Sequence, residues 1–192
     1  MKRILSVAVA ALLMTGAANA QHANIGIKGG FNSFKFESDP EVDYKSRSNF
    51  HAGLLAHFHL APQFGLQPEV VYSGQGAKAN TGNAQTKLGY INVPVNLQYM
   101  FDNGFRIQAG PQVGFLVNAK SEVNNVEADI KDQLKTVDFG VTAGLSYVHV
   151  PSGFGVDARY NLGLTDITES SLNEVKNRGF QVGVFYLFKH RN

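Results

Sequence analysis

Six residues able to form ion pairs or to line an ion path fall on one side of an alternating pattern: Lys28, Glu69, Arg106, Asp138, Asp157 and Arg159. Three cations and three carboxylates in a narrow space have two uses. They gate a path for ions, or they pair into a structural network, because an unpaired buried charge is strongly destabilising. Asp157 and Arg159, two apart on one face, belong nearest the middle of the set.

His51, His57 and His59 share a face, and two histidines at i,i+2 on a strand hold their imidazoles side by side. Neither the spacing nor a nearby acid completes a metal site, so no metal and no cofactor is assigned. Glu37, Asp39, Glu41 and Asp43 alternate, and an extended loop would present all four carboxylates on one side. Such a run usually marks a solvated loop; its functional reading is Ca²⁺ binding, or bridging to lipopolysaccharide phosphates through divalent ions. Ser46, Ser48 and Asp43 lie close in sequence to His51, the raw material of a hydrolase or acyltransferase. There is no Gly-x-Ser-x-Gly elbow or other catalytic signature, and no catalytic residue is assigned.

The elements that must position these groups are clearest in residues 136–166. Val137, Phe139, Val141, Ala143, Leu145 and Tyr147 share one parity, as do Phe154, Val156, Ala158, Tyr160, Leu162 and Leu164 beyond Pro151-Ser152-Gly153. The opposite parity carries Asp138, Gly140, Thr142, Gly144 and Ser146, then Gly155, Asp157, Arg159, Asn161 and Gly163. Side chains alternate across a strand, so this is a hairpin with one continuous apolar face. The same code appears in strands at 23–34, 50–60, 64–73, 91–101, 105–117 and 178–188. Short turns at 61–63 and at Asp102-Asn103-Gly104, an Asn-Gly hairpin signal, alternate with longer links at 35–48, 76–86, 118–135 and 167–177. In the longest link Val126, Ile130 and Leu134 repeat at four and Glu127 stands four before Lys131, which predicts a short helix. Pro68, Pro94 and Pro111 each remove a ladder hydrogen bond, and local bulges are expected there.

The chain opens Met1-Lys2-Arg3, continues apolar from Ile4 to Met14, and reaches Ala18-Asn19-Ala20. That is the form of an export signal over residues 1–20, cleaved between Ala20 and Gln21. The 17 basic residues less Lys2 and Arg3 match the 15 acidic ones, so the mature chain is formally neutral and carries no nucleic-acid footprint. Zero cysteines exclude disulfides and thiolate metal sites. Residues 21–192 suffice for one domain of eight strands.

Alternation alone also suits a soluble barrel with its apolar face inside. The polar face decides. Of its 18 positions in the last four strands, seven are glycine and four are charged. A solvated surface would carry more long charged side chains, whereas a narrow lumen needs small residues. The expected fold is therefore all-β: an eight-stranded antiparallel up-and-down transmembrane barrel with short periplasmic turns, four longer outer loops and both termini periplasmic.

The segments Gly65-Leu66-Gln67-Pro68-Glu69-Val70-Val71-Tyr72-Ser73, Tyr90-Ile91-Asn92-Val93-Pro94-Val95-Asn96-Leu97-Gln98-Tyr99, Ala109-Gly110-Pro111-Gln112-Val113-Gly114 and Asp157-Ala158-Arg159-Tyr160-Asn161-Leu162-Gly163-Leu164 resemble the PorT-like, or porin-like, bacterial outer-membrane β-barrel domain family. The resemblance implies an outer-membrane barrel and little about activity. Gln181, Gly183, Tyr186 and Phe188 in the last strand resemble the signal read by the outer-membrane insertion machinery, although Lys189 to Asn192 follow the terminal aromatic. The implied partners are outer-membrane lipid, lipopolysaccharide, that machinery and an unidentified ligand at the outer loops. The leading expectation is a non-enzymatic structural or surface-interaction protein, with a narrow channel for ions or small solutes as the alternative.

Overall fold

Strong two-residue periodicity closes into a barrel. The computed structural model describes residues 23–39, 42–80, 83–169 and 174–188. Eight antiparallel strands form the wall: β1 (Ala23–Asp39), β2 (Tyr44–Ala61), β3 (Phe64–Ala79), β4 (Ala84–Met100), β5 (Phe105–Val123), β7 (Val137–His149), β8 (Phe154–Gly163) and β9 (Glu174–Leu187). Each pairs with its sequence neighbour in the wall, and β1 with β9 closes the circle. A short strand, β6 (Val126–Asp129), folds back onto the far end of β5. The turns after β2, β4 and β7 lie at one end of the barrel, beside the start of β1 and the end of β9; this is the turn end, and the opposite one is the loop end.

One parity faces out and is apolar. Ile27, Leu54, Val70 and Val184 are each about half exposed, and Phe31 is 73% exposed. A wall of this kind is stable where its surroundings are as apolar as itself. Aromatic side chains gather at two levels of it. Phe64, Tyr99, Phe101 and Phe105 touch in succession at the turn end, as do Phe154, Tyr186 and Phe188. Phe50 with Tyr72, and Tyr160 with Phe180, mark a second level nearer the loop end. Phe64 and Tyr72 are eight residues apart on β3. That is roughly 26 Å along the strand, or about 20 Å along the axis at a tilt of ~40°, close to the ~25 Å apolar band of transmembrane barrels.

Three sequence expectations are corrected. The links expected as loops at 35–48 and 76–86 are mostly strand: β1 runs to Asp39, β2 begins at Tyr44, β3 runs to Ala79 and β4 begins at Ala84. Glycine and polar residues there mimic loop composition, but neighbouring strands supply a ladder: β9 for Lys35–Asp39, β3 for Tyr44–Ser46, and β4 for the end of β3. Residues 118–135 hold no α-helix. Asn124 and Asn125, at φ 49° and 66°, make a tight turn between β5 and β6, since asparagine tolerates positive φ better than most residues. Glu127 consequently bonds Lys87 and Lys120 rather than Lys131, and only a 3₁₀ turn follows at Lys131–Gln133. The prolines do not produce bulges. Pairing lapses between Pro68↔Val95 and Val71↔Asn92, and between Pro94↔Gln112 and Leu97↔Ala109, yet the register is the same on both sides. Pro111 pairs with Val141 in an unbroken register. The register shifts fall elsewhere, between Ser46 and His51, His59 and Ala61, and Gly89 and Tyr90. Losing one N–H from a closed ladder here leaves a gap without inserting a residue.

Candidate functional site

The inward parity builds the only concentration of buried polar groups among the described residues, and it is organised in levels along the lumen. At mid-height, β1 contributes Lys28, β3 Glu69, and β8 Asp157 and Arg159. Lys28 Nζ lies 3.2 Å from Glu69 Oε2 and 3.0 Å from Asp157 Oδ2. Arg159 donates from Nη1 to Glu69 Oε2 at 2.9 Å and from Nη2 to Glu69 Oε1 at 2.6 Å, and its Nε lies 2.7 Å from Asp157 Oδ2 as an ion pair without hydrogen-bond alignment. Gln67 Nε2 adds a donor to Glu69 Oε1 at 2.7 Å. Two cations and two carboxylates thus close a neutral ring across the lumen. All four side chains are at most 2% exposed. Bidentate pairing and shared partners offset the desolvation that burying four charges costs.

Arg106 and Asp138 stand apart from the ring. Arg106, near the start of β5, contacts Gln98 Oε1 at 3.3 Å and His57 Nδ1 at 3.5 Å. Asp138, near the start of β7, accepts from Thr165 Oγ1 at 2.7 Å. Loop-side of the ring, His51 Nδ1 and Asn32 Oδ1 are 2.6 Å apart; Asn32 Nδ2 donates to Ser73 Oγ, as does Gln75 Nε2, and Asn177 Nδ2 donates to Gln75 Oε1. Thr142 Oγ1 donates to Asn96 Oδ1 at 2.5 Å.

Apolar groups occupy both ends of this polar column. At the loop end Phe36, Ala77, Leu88, Tyr90, Leu116, Ala119 and Ile167 form a buried cluster, with Tyr44, Ile130, Leu134 and Val175 packed against it. Ile167 is held there by backbone bonds, donating to Val175 O and accepting from Lys135 N. Asp166 ties the same connection: its carboxylate accepts from Lys135 Nζ, Thr168 N and Val175 N. Burial raises the Asp166 pKa, but these hydrogen bonds outweigh it and bring the carboxyl down to about 2. At the turn end Leu55, Val148, Phe185 and Leu187 make a second cluster.

The histidine, serine and acidic arrangements considered from the sequence do not converge. His51 is buried on Asn32, while Ser46 and Ser48 are exposed. His57 and His59 meet edge to face at 4.7 Å, and among the described residues no three potential metal ligands cluster. Glu37 pairs with Arg178, Asp43 accepts from Asn80 Nδ2 at 2.7 Å, and Glu41 lies outside the described residues. In β9, Gln181 faces the lumen, Gly183 packs beside the His51 ring, and Tyr186 and Phe188 join the outer aromatic chain. Ala18, Ala20 and Gln21 lie outside the described residues.

Sequence reasoning missed the two apolar plugs. Phe34 and Phe36 continue the inward parity of Lys28, Gly30 and Asn32, and Leu88 and Tyr90 continue that of Asn92. That continuation was the signal available.

A family model described as an outer membrane protein beta-barrel domain matches residues 19–169. Among solved structures, neisserial surface protein A is similar with a TM-score of 0.59 at 16% identity, over 86% of this chain and 99% of that one. Ail, the attachment invasion locus protein of Yersinia pestis, gives 0.54 at 15% identity over 87% and 99%. At these identities the likeness shows the fold. No curated protein matches by sequence.

Proposed function

The chain belongs to the outer membrane protein beta-barrel domain family, and from that premise we propose that it is a non-enzymatic bacterial outer-membrane protein with a structural or surface-interaction role. The observation that carries the proposal is the lumen. Its mid-height charges neutralise one another in the Lys28–Glu69–Arg159–Asp157 ring, and apolar clusters pack toward both ends. A path for ions needs continuous water, and eight strands leave an interior that side chains just fill. What remains available to partners is the rim.

In this reading residues 1–20 are an export signal, the turn end and both termini face the periplasm, and β9 carries the assembly signal for the insertion machinery. The outward apolar wall meets lipid and, in the outer leaflet, lipopolysaccharide. The loop end displays the β5–β6 hairpin and the hairpin tips to the exterior, where an as yet unidentified ligand is sought. The narrower PorT-like or porin-like grouping rests on the motif strings of β3, β4, β5 and β8. The alternative is a narrow channel, favoured by the polar column between the plugs. Planar-bilayer recording separates the two: a surface protein with a sealed lumen is silent, and a channel gives reproducible current steps.

A further inference from the structure

Of the three buried lumen cations among the described residues, Lys28, Arg106 and Arg159, Arg106 is the one without a carboxylate partner. Lys28 and Arg159 share Glu69 and Asp157, whereas no carboxylate of the described residues pairs with Arg106, which is only 6% exposed. Asp138 cannot serve. In the β5–β7 ladder Asp138 stands opposite Gly114 and Arg106 opposite Ser146, eight residues apart on β5 or roughly 26 Å. Both contacts of the guanidinium run through Nη1, to neutral Gln98 and His57.

Beyond the neutral acceptors Gln98 Oε1 and His57 Nδ1, the surroundings add unpartnered donors. An arginine only donates, so His57 Nδ1 accepts from it, and the neutral ring carries its proton on Nε2. That Nε2 is buried without a partner. Gln108 Oε1 accepts from Gln98 Nε2 at 2.9 Å, which leaves the Gln108 amide nitrogen, also buried, without an acceptor. Gly65, Gln98 and Gln108 lie in one row of the β3–β4–β5 ladder. A Cβ at Gly65 would stand 2.6 Å from His57 Cε1 and 3.3 Å from its Nε2, so glycine there is what admits this ring. Arg106 is the second residue of β5, beside the turn that follows β4, and 6% of its surface reaches solvent.

We propose that the turn end of the lumen binds a small monovalent anion of chloride size against Arg106, with His57 Nε2–H and the Gln108 amide as neutral donors. The anion balances a guanidinium whose burial is otherwise uncompensated, so it stabilises the folded barrel in proportion to its occupancy. A carboxylate from the chain would do the same work; none is placed there among the described residues.

The test is the urea midpoint of the mature protein folded in zwitterionic micelles, with chloride replacing gluconate at constant ionic strength. The wild type is expected to shift to higher urea with chloride and to saturate, and Arg106→Met to lose that shift. Equal midpoints in the two salts for the wild type, or an undiminished chloride shift in Arg106→Met, would overturn the proposal. If Arg106→Met does not fold, chlorine-35 NMR of the wild type decides: broadening relieved by bromide supports the site, and the absence of displaceable broadening rejects it.

Discussion

Arg159 on β8 and Glu69 on β3 face each other across the lumen and join through two hydrogen bonds, of 2.9 and 2.6 Å, although 90 residues separate them in the chain. The pair spans strands that are not neighbours in the wall, so it braces the barrel across its bore rather than along its ladder. Removing one member leaves the other charged and buried. Glu69→Gln is expected to destabilise the folded barrel by about 3–5 kcal/mol, and a Glu69→Gln/Arg159→Gln double variant by less than the sum of the single losses. Urea unfolding of the four proteins in micelles checks the coupling; strictly additive losses would separate the two residues energetically.

The stem of Arg159 also depends on a glycine. A Cβ at Gly144, on the neighbouring strand, would stand 2.9 Å from Arg159 Cγ and closer still to the Ala158 carbonyl. Gly144→Ala should therefore displace Arg159 and lower stability, while a lumen glycine substitution in the Glu69→Gln/Arg159→Gln background should cost less. The same urea series, run in both backgrounds, measures that difference.

Much of this arrangement is legible from the residues alone. The period of two assigned Lys28, Glu69, Asp157 and Arg159 to one face, and the glycine-rich polar face distinguished a lumen from a water-facing surface. Which cation meets which carboxylate was not legible, because that depends on barrel closure and on the stagger between strands. The plugs escaped because Phe36, Leu88 and Leu116 sit where strands run on past the apolar band. There both faces mix polar and apolar residues, and alternation no longer signals a strand. The β6 strand is masked because Val126, Ile130 and Leu134 fit either period over so short a stretch.

The β5–β6 turn offers a local test. Both central residues have positive φ, which costs a branched side chain roughly 1–2 kcal/mol. Asn125→Val is expected to fray β6 and expose the amides of Ser121 and Val123, which face β6, to hydrogen exchange, whereas Asn125→Gly keeps them protected. The transmembrane part of β5, which is paired with β4 and β7, should exchange no faster in either variant.

Asp166 gives the loop end a defined response to acid. Its folded pKa, about 2, lies below the ordinary 3.8, so its contribution is complete above about pH 4 and is lost as the pH falls through 2. Exchange protection at the amides of Thr168 and Val175, which donate to its carboxylate, should fall over that interval. Asp166→Asn should show weaker protection already at neutral pH and little further change on acidification.

In the proposed reading the lumen is closed by its own side chains. The mature chain refolded into planar bilayers, with correct folding verified by its heat-dependent gel mobility, should give no single-channel steps. Reproducible steps whose amplitude changes in Arg159→Ala would contradict the sealed lumen and make the protein a small pore set by its internal charges.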